Sequence, residues 1–248
     1  MRTGIYVDSD NISSSGGSYM RYETLRRFYE ASSVVTIAKA YHAFDEVLAE
    51  EKPEYANWHA AHVARIQGAG FRLLIKPVKR YNNDTGTSRK GNVDVELTVD
   101  VLTQADKLDR VVLVTGDGDF VALAQALQAK GVRVEVVAFK NISSDLVQIA
   151  DVFLNAYLIP DILAGDAQPR NRVIQIMNVD LNGQRAFYSC LEQAPTSLSP
   201  DDPAWLRGEL RLTKSMIDSR NFRPGKILAW RGRNADEQAF EVLATQRL

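Results

Sequence analysis

Apolar positions in the first 160 residues follow two alternating rhythms. Short β-branched runs at residues 3–7, 34–41, 71–77, 110–115, 132–139 and 152–158 predict strands. Between them, Tyr22, Leu25 and Phe28 fall at helical spacing within 19–31, and Val93, Leu97, Val101 and Leu108 within 93–108. Further helices are expected over 58–69 and 120–130, closed by Gly70 and Gly131, and over 143–150. The stretch 81–91 is polar and contains glycine, so it reads as a loop. Residues 110–115 form a continuous apolar run, as expected of a central strand buried on both faces. This βαβα order predicts an α/β fold, a mostly parallel sheet with helices on both faces.

The rhythm changes after 163. Residues 164–169 (AGDAQP) have the composition of a linker. Beyond them come two expected strands, 173–179 and 185–190, then a turn-rich stretch at 195–203. Helices are predicted over 205–219 and 236–246, with a strand at 226–230 between them. The chain therefore divides into a domain over 1–163 and a small α+β module over 170–248.

Composition bounds the function classes. Of 248 residues, 45% are hydrophobic and 25% charged, which suits a soluble globular protein and argues against disorder. No apolar run approaches the ~20 residues that span a bilayer, and the first residues carry no signal-peptide core, so a cytoplasmic location is expected. Cys190 is the only cysteine, which rules out an intramolecular disulfide and predicts a buried thiol. The net charge of −1 conceals two basic patches. Six cations lie within 72–90 against Asp84 alone, and eight within 207–233 against Glu209 and Asp218. Such patches suit a polyanion, although a solvated Lys/Arg surface has the same composition.

Chemistry in an open parallel sheet collects beyond the C-terminal strand ends. Asp8 ends the first strand in the run 6–11 (YVDSDN), and Asp117 and Asp119 follow the strand at 110–115. Asp94 opens the helix after 90–92 (KGN). Each acid has an ordinary structural use: Asp94 favours a helix N-terminus, Asp117 or Asp119 an N-cap, Asp10 and Asn11 a turn. Their convergence from separate segments instead suggests a hard divalent cation held by carboxylates and water. The histidines His42, His59 and His62 lie outside these strand ends. His59 and His62 share a helix face at i,i+3 but have no evident third ligand.

At these same residues the chain resembles the NYN family of the PIN-like nuclease superfamily, with the LabA-type bacterial proteins as the nearest group. The matching stretches are 7–11 (VDSDN), 90–95 (KGNVDV) continuing to Asp100, 114–120 (VTGDGDF), the strand at 131–134 and residues 146–153. They occur in family order across residues 1 to about 160. The resemblance implies a PIN-like, Rossmann-like three-layer domain and a Mg²⁺ or Mn²⁺ dependent endoribonuclease acting on RNA, single-stranded by expectation. It implies that Asp8, Asp94, Asp117 and Asp119 form the metal-binding and catalytic acids, with Asn11 lining the pocket. Metal on Asp8, Asp94 and Asp117 would acidify water and neutralise phosphate charge, while Asp119 positions or deprotonates that water. Lys79, Arg80, Arg89 and Lys90 flank the loop before Asp94 and are expected to hold the phosphate backbone. Ser9 and Asp10 depart from the family pattern after the first Asp.

Two rivals stand beside this reading. The run 8–10 (DSD) with 116–119 (GDGD) also fits a haloacid-dehalogenase-like phosphatase, in which Asp8 is the nucleophile and Asp10 the acid/base. Asn11-Ile12 departs from that motif, and Asp94 has no part in it. A non-catalytic RNA- or protein-binding NYN protein is the other rival, although all four acids are present. For the C-terminal module only pattern remains. Arg207, Arg211 and Lys214 share one face of the expected helix, and with Phe222 and Trp230 they would suit single-stranded nucleic acid. The competing reading makes Trp205, Phe222 and Trp230 the module's core under a solvated charged surface, and a further one makes it a module for dimerisation or protein docking.

Overall fold

A computed structural model describes the chain except residues 84–85, 166–171, 194–201, 203, 220, 231–239 and 246–248, and describes the backbone alone at 81–83, 86–90, 240–241 and 245. It divides into two compact units, Met1–Phe153 and Leu154–Leu248.

The first unit follows the alternating rhythm of its sequence. Strand β1 (Arg2–Asp8) leads through a one-turn helix α1 (Ser9–Ile12) to α2 (Tyr22–Glu30), whose Tyr22, Leu25 and Phe28 are all buried as their spacing predicts. Strand β2 (Val34–Phe44) is followed by α3 (Glu46–Glu51), α4 (Pro53–Gly68) and β3 (Arg72–Pro77). Two short strands, β4 (Lys79–Asn83) and β5 (Gly86–Lys90), precede α5 (Asp94–Gln104). Then come β6 (Arg110–Val114), α6 (Val121–Ala129), β7 (Arg133–Ala138), α7 (Ser144–Ile149) and β8 (Val152–Asn155). Gly70 and Gly131 do follow the ends of α4 and α6, with φ of +78° and +77°, a conformation glycine adopts without a Cβ penalty.

The six-stranded sheet has the order β3-β2-β1-β6-β7-β8, and the pairs from β3 through β7 are all parallel. The chain builds outward from β1 to β3, then returns to place β6 on the other side of β1. The strand order therefore reverses between β1 and β6, and a crevice opens there at the C-terminal edge. Every residue of β6 is buried, and the stripe Val93, Leu97, Val101 and Leu108 is buried with it. Burial of these side chains, at ~25 cal/mol per Å² of apolar surface, is what anchors α5 and thus Asp94 at its first turn.

The second unit is an antiparallel sheet. Strands β9 (Val173–Asp180), β10 (Arg185–Leu191), β11 (Trp205–Arg211), β12 (Lys226–Trp230) and β13 (Phe240–Thr245) take the order β11-β10-β9-β12-β13. A short helix α8 (Lys214–Asp218) lies between β11 and β12. Ile174, Ile176, Tyr188, Leu210 and Phe222 are among its core, and Cys190 is a buried free thiol as expected.

Several predicted elements are corrected. The helix expected over 205–219 is β11 followed by α8. Spacing i,i+4 also satisfies a period of two, so Arg207 and Arg211 share a strand face with Glu209 between them, and Lys214 belongs to a separate helix. Gly208 lets the Tyr188 ring approach so closely that a Cβ would stand 2.4 Å from it. Phe222 is core, 6% exposed, which removes it from any base-stacking role. Of the helix expected over 236–246, residues 240–245 are β13, drawn into the sheet by pairing with β12; residues 236–239 lie outside the described residues. The expected loop 81–91 is largely the β4–β5 hairpin, with Arg80 opposite Arg89 and Tyr81 opposite Ser88. A two-stranded ribbon needs no buried face, so its sequence lacks the alternation that reveals strands. Residues 156–158 leave the strand for a 3₁₀ turn, because the Asn155 side chain accepts from the Tyr157 N–H at 3.1 Å. The helix expected from 58 begins at Pro53, whose fixed φ suits a first helical turn, and that expected from 19 begins at Tyr22.

Candidate metal centre

Three elements each deliver one carboxylate to the crevice. Asp8 ends β1, Asp94 opens α5 and Asp117 follows β6, and one oxygen of each lies within 4.8 Å of the others. Asp8 is held by local chemistry: it caps α1 by accepting from the Asn11 N–H at 3.1 Å, and accepts from the Thr115 hydroxyl at 3.4 Å. Asn11 turns its own side-chain oxygen to the Gly116 N–H at 2.9 Å, which ties the β1 turn to the β6 turn. Asp117 caps the following 3₁₀ turn by accepting from the Asp119 N–H at 3.0 Å. Asn92 donates to Asp94 at 2.5 Å. The ordinary capping uses of these acids and their convergence are thus both realised.

Crowding the three acids has an electrostatic cost. Burial, with added repulsion from Asp10 and Asp94, pushes the Asp8 carboxyl up to about 6, against the pull of its Asn11 and Thr115 hydrogen bonds. Asp94 is also raised, first by burial and then by Asp117 and Asp119, with Lys76 opposing. A hard oxygen donor set in which Asp8 and Asp94 resist ionising fits a divalent cation, which would favour their charged forms. Asp8, Asp94 and Asp117 are the residues that would hold it.

The remaining expected site residues separate. Asp119 is exposed on the turn beside the triad and is not part of it. Lys79 is exposed, whereas Arg80 is engaged by both oxygens of Asp45 at 2.9 Å and lies 3.7 Å from Glu51. The side chains of Arg89 and Lys90 lie outside the described residues. Asp100 accepts from Lys39 and the Tyr41 hydroxyl, both at 2.7 Å, and clamps α5 to β2. Asp10 faces β2: it meets His42 Nδ1 at 2.5 Å and accepts from the Ala43 N–H at 2.7 Å. With both oxygens so occupied, it is badly placed for the acid/base role a dehalogenase-like phosphatase requires.

Sequence reasoning missed the histidine layer beneath this site. His42 on β2 supplies the third imidazole, its ring 5.1 Å from His59 and 5.3 Å from His62. The His42 and His59 rings stack at 24° instead of converging on a point. His62 Nε2 lies 2.6 Å from the Ser9 hydroxyl, and Arg65 donates to its Nδ1 at 3.2 Å. Since guanidinium only donates, Nδ1 is the acceptor and Nε2–H donates to Ser9, so the ring is neutral. The pairing of Asp8 with Tyr41 across β1 and β2 puts His42 level with the site, a placement only the register discloses.

Burial, together with His42 and Arg65, lowers His62 to about 4, well below the 6.5 of a free imidazole. Folding therefore gains from a neutral His62 above pH 6.5, and that gain is lost as pH falls through 6.5 toward 4. Asp8, shifted the other way, contributes the opposite slope over a similar range. We predict that the stability gap between wild type and His62→Gln, on the order of 1–2 kcal/mol at pH 7.5 after allowing for solvent screening, shrinks at pH 4.5. Urea titrations at the two pH values measure it, and a constant gap would refute it.

The open parallel sheet gathers three carboxylates where its strand order reverses, and the family that the sequence matches belongs to the PIN-like nuclease superfamily. The family model of the NYN domain matches residues 2–159, well over half of the chain, and the chain belongs to that family. The low amplitude and bright protein LabA of Synechococcus elongatus is 29% identical over 72 residues, 28% of this chain and 39% of that relative. The match thus spans about two-fifths of the relative's length. A crystal structure of a protein of unknown function from Vibrio parahaemolyticus is similar with a TM-score of 0.50 at 29% identity, over 65% of this chain and 94% of that one.

Proposed function

We propose that residues 1–163 form a Mg²⁺ or Mn²⁺ dependent endoribonuclease acting on single-stranded RNA in the cytoplasm. The observation that carries this reading is the convergence of Asp8, Asp94 and Asp117 from three separate elements at the crevice between β1 and β6. A divalent cation there supplies charge neutralisation at phosphate and acidifies water. Asp8, Asp94 and Asp117 bind it. Asp119, exposed beside them, orients the attacking water or accepts its proton, and Asn11 fixes the span between the two turns. Lys79, Arg80, Arg89 and Lys90, on the ribbon before α5, steer the phosphate backbone toward the acids; Arg80 must exchange Asp45 for phosphate to take part.

Incubation of the purified protein with an end-labelled single-stranded RNA is expected to give internal cleavage products with Mg²⁺ or Mn²⁺ and none with EDTA. RNA that is bound but left intact with both metals would point to a non-catalytic member of the family. Turnover of an aryl phosphate with trapping by beryllium fluoride would point to the phosphatase chemistry instead.

A further inference from the structure

The edge of the sheet opposite the acidic crevice carries a second feature. Strand β3 pairs with β2 only from Lys39 onward, opposite Arg72, while β2 itself begins at Val34. Residues 34–38 are held on one side by β1 and, among the described residues, have no strand on the other. That leaves five residues of open backbone, roughly 16 Å at 3.3 Å per residue. Beside it lies a cavity of about 730 Å³, lined by residues 35–38 of this edge and by Arg2, Arg26, Lys39, Arg72 and Lys107. Six residues of β1 separate this end from Asp8, roughly 20 Å, so the cavity is distinct from the candidate metal centre.

The charge is uncompensated in part. Arg2 pairs with Asp109, Arg26 with Glu30 and Lys39 with Asp100. Arg72 and Lys107 are exposed and have no ion pair among the described residues. Among the described residues no acid lines the cavity. Two properties thus coincide, an unpaired strand edge and a surplus of cations alongside it. Cations guard an edge against self-pairing, since a second copy would bring like charges together. The same cations attract an extended segment of opposite sign. A phosphate ligand would use the cations but leave the backbone edge without a role, whereas an acidic strand uses both.

We propose that this edge binds an extended acidic peptide of a partner protein, which adds as a strand beside residues 34–38 and sets carboxylates against Arg72 and Lys107. Its main chain pairs with β2, and alternate side chains face the cations on one side of the added strand. The proposal stands apart from the nuclease reading and is tested without it.

The probe is a fluorescein-labelled peptide, Glu-Val-Glu-Thr-Glu-Val-Glu, titrated into the full-length protein and followed by anisotropy. Binding is expected to weaken at least tenfold in the double variant Arg72→Glu, Lys107→Glu, while the melting temperature stays unchanged. Amide hydrogen exchange should slow at residues 34–38 on peptide addition. Equal affinity of the double variant for the peptide, or unchanged exchange at 34–38, would overturn the proposal. So would displacement of the peptide by inorganic triphosphate or octauridylate at the concentration at which unlabelled peptide displaces it, since the site would then read anions alone.

Discussion

Asp117→Asn should lower metal-dependent RNA cleavage by about 100-fold or more, a loss of some 2.7 kcal/mol of transition-state stabilisation. The same is expected of Asp8→Asn and Asp94→Asn, because each removes one of three mutually close carboxylates. Without metal the variants should remain folded, and Asp8→Asn should gain stability, on the order of 1–2 kcal/mol at pH 7. The sign follows from the raised Asp8 carboxyl, whose ionised form is disfavoured in the folded chain above about pH 6. An amide still offers an oxygen to the Asn11 N–H and so preserves the cap of α1. Asp10→Asn and Asp100→Asn should lose less, since their carboxylates are committed to His42 with Ala43 and to Lys39 with Tyr41. Single-turnover cleavage assays with melting curves in EDTA separate these effects. An Asp117→Asn protein that cuts at the wild-type rate would dispose of the acidic-cluster mechanism.

Arg110→Ala should destabilise the first unit by about 3–5 kcal/mol, the usual consequence of stripping one partner from a buried ion pair. Arg110 and Glu135 are 2% and 1% exposed and meet at 3.3 Å across adjacent strands β6 and β7. The guanidinium also donates to Thr3 at 3.0 Å and Ser33 at 2.7 Å, and lies 4.9 Å from the Tyr29 ring centroid. Its loss leaves Arg133, at 2.8 Å, as the one cation paired with Glu135 among the described residues. Equilibrium urea unfolding measures the cost; a value below 1 kcal/mol would mean that water takes the place of the guanidinium. Arg110 begins β6, at the end of the sheet away from Asp117, so cleavage per folded molecule should stay at the wild-type level.

The parallel sheet was legible because its central strands β1, β6 and β7 are buried on both faces and α2 and α5 each carry a buried apolar stripe. Val93, Leu97 and Val101 had only one way to point. The acidic triad was legible because its members sit at strand and helix ends, where the sheet's geometry brings separate segments together. Contacts that depend on strand register were not legible. Nothing in the order of residues tells that His42 stands beside Asp10, or that Asp45 engages Arg80 before any phosphate could. The second unit was misread for a related reason. The run 205–211 satisfies helical and strand periodicities alike, and only its partner β10 decides between them. The β4–β5 ribbon lacks any apolar alternation, so it escaped a reading that depends on it.

Asp8, Asp94 and Asp117 also set an order of events during synthesis. Asp8 leaves the ribosome well before the other two acids, but it has no companions until α5 has packed and β6 has inserted beside β1. That requires the roughly 110 residues from Asp8 to Asp117 to have emerged and a pairing of high sequence separation. A nascent or half-folded chain therefore carries the acids without the site, and whatever chemistry the site performs is withheld until the centre of the sheet is complete.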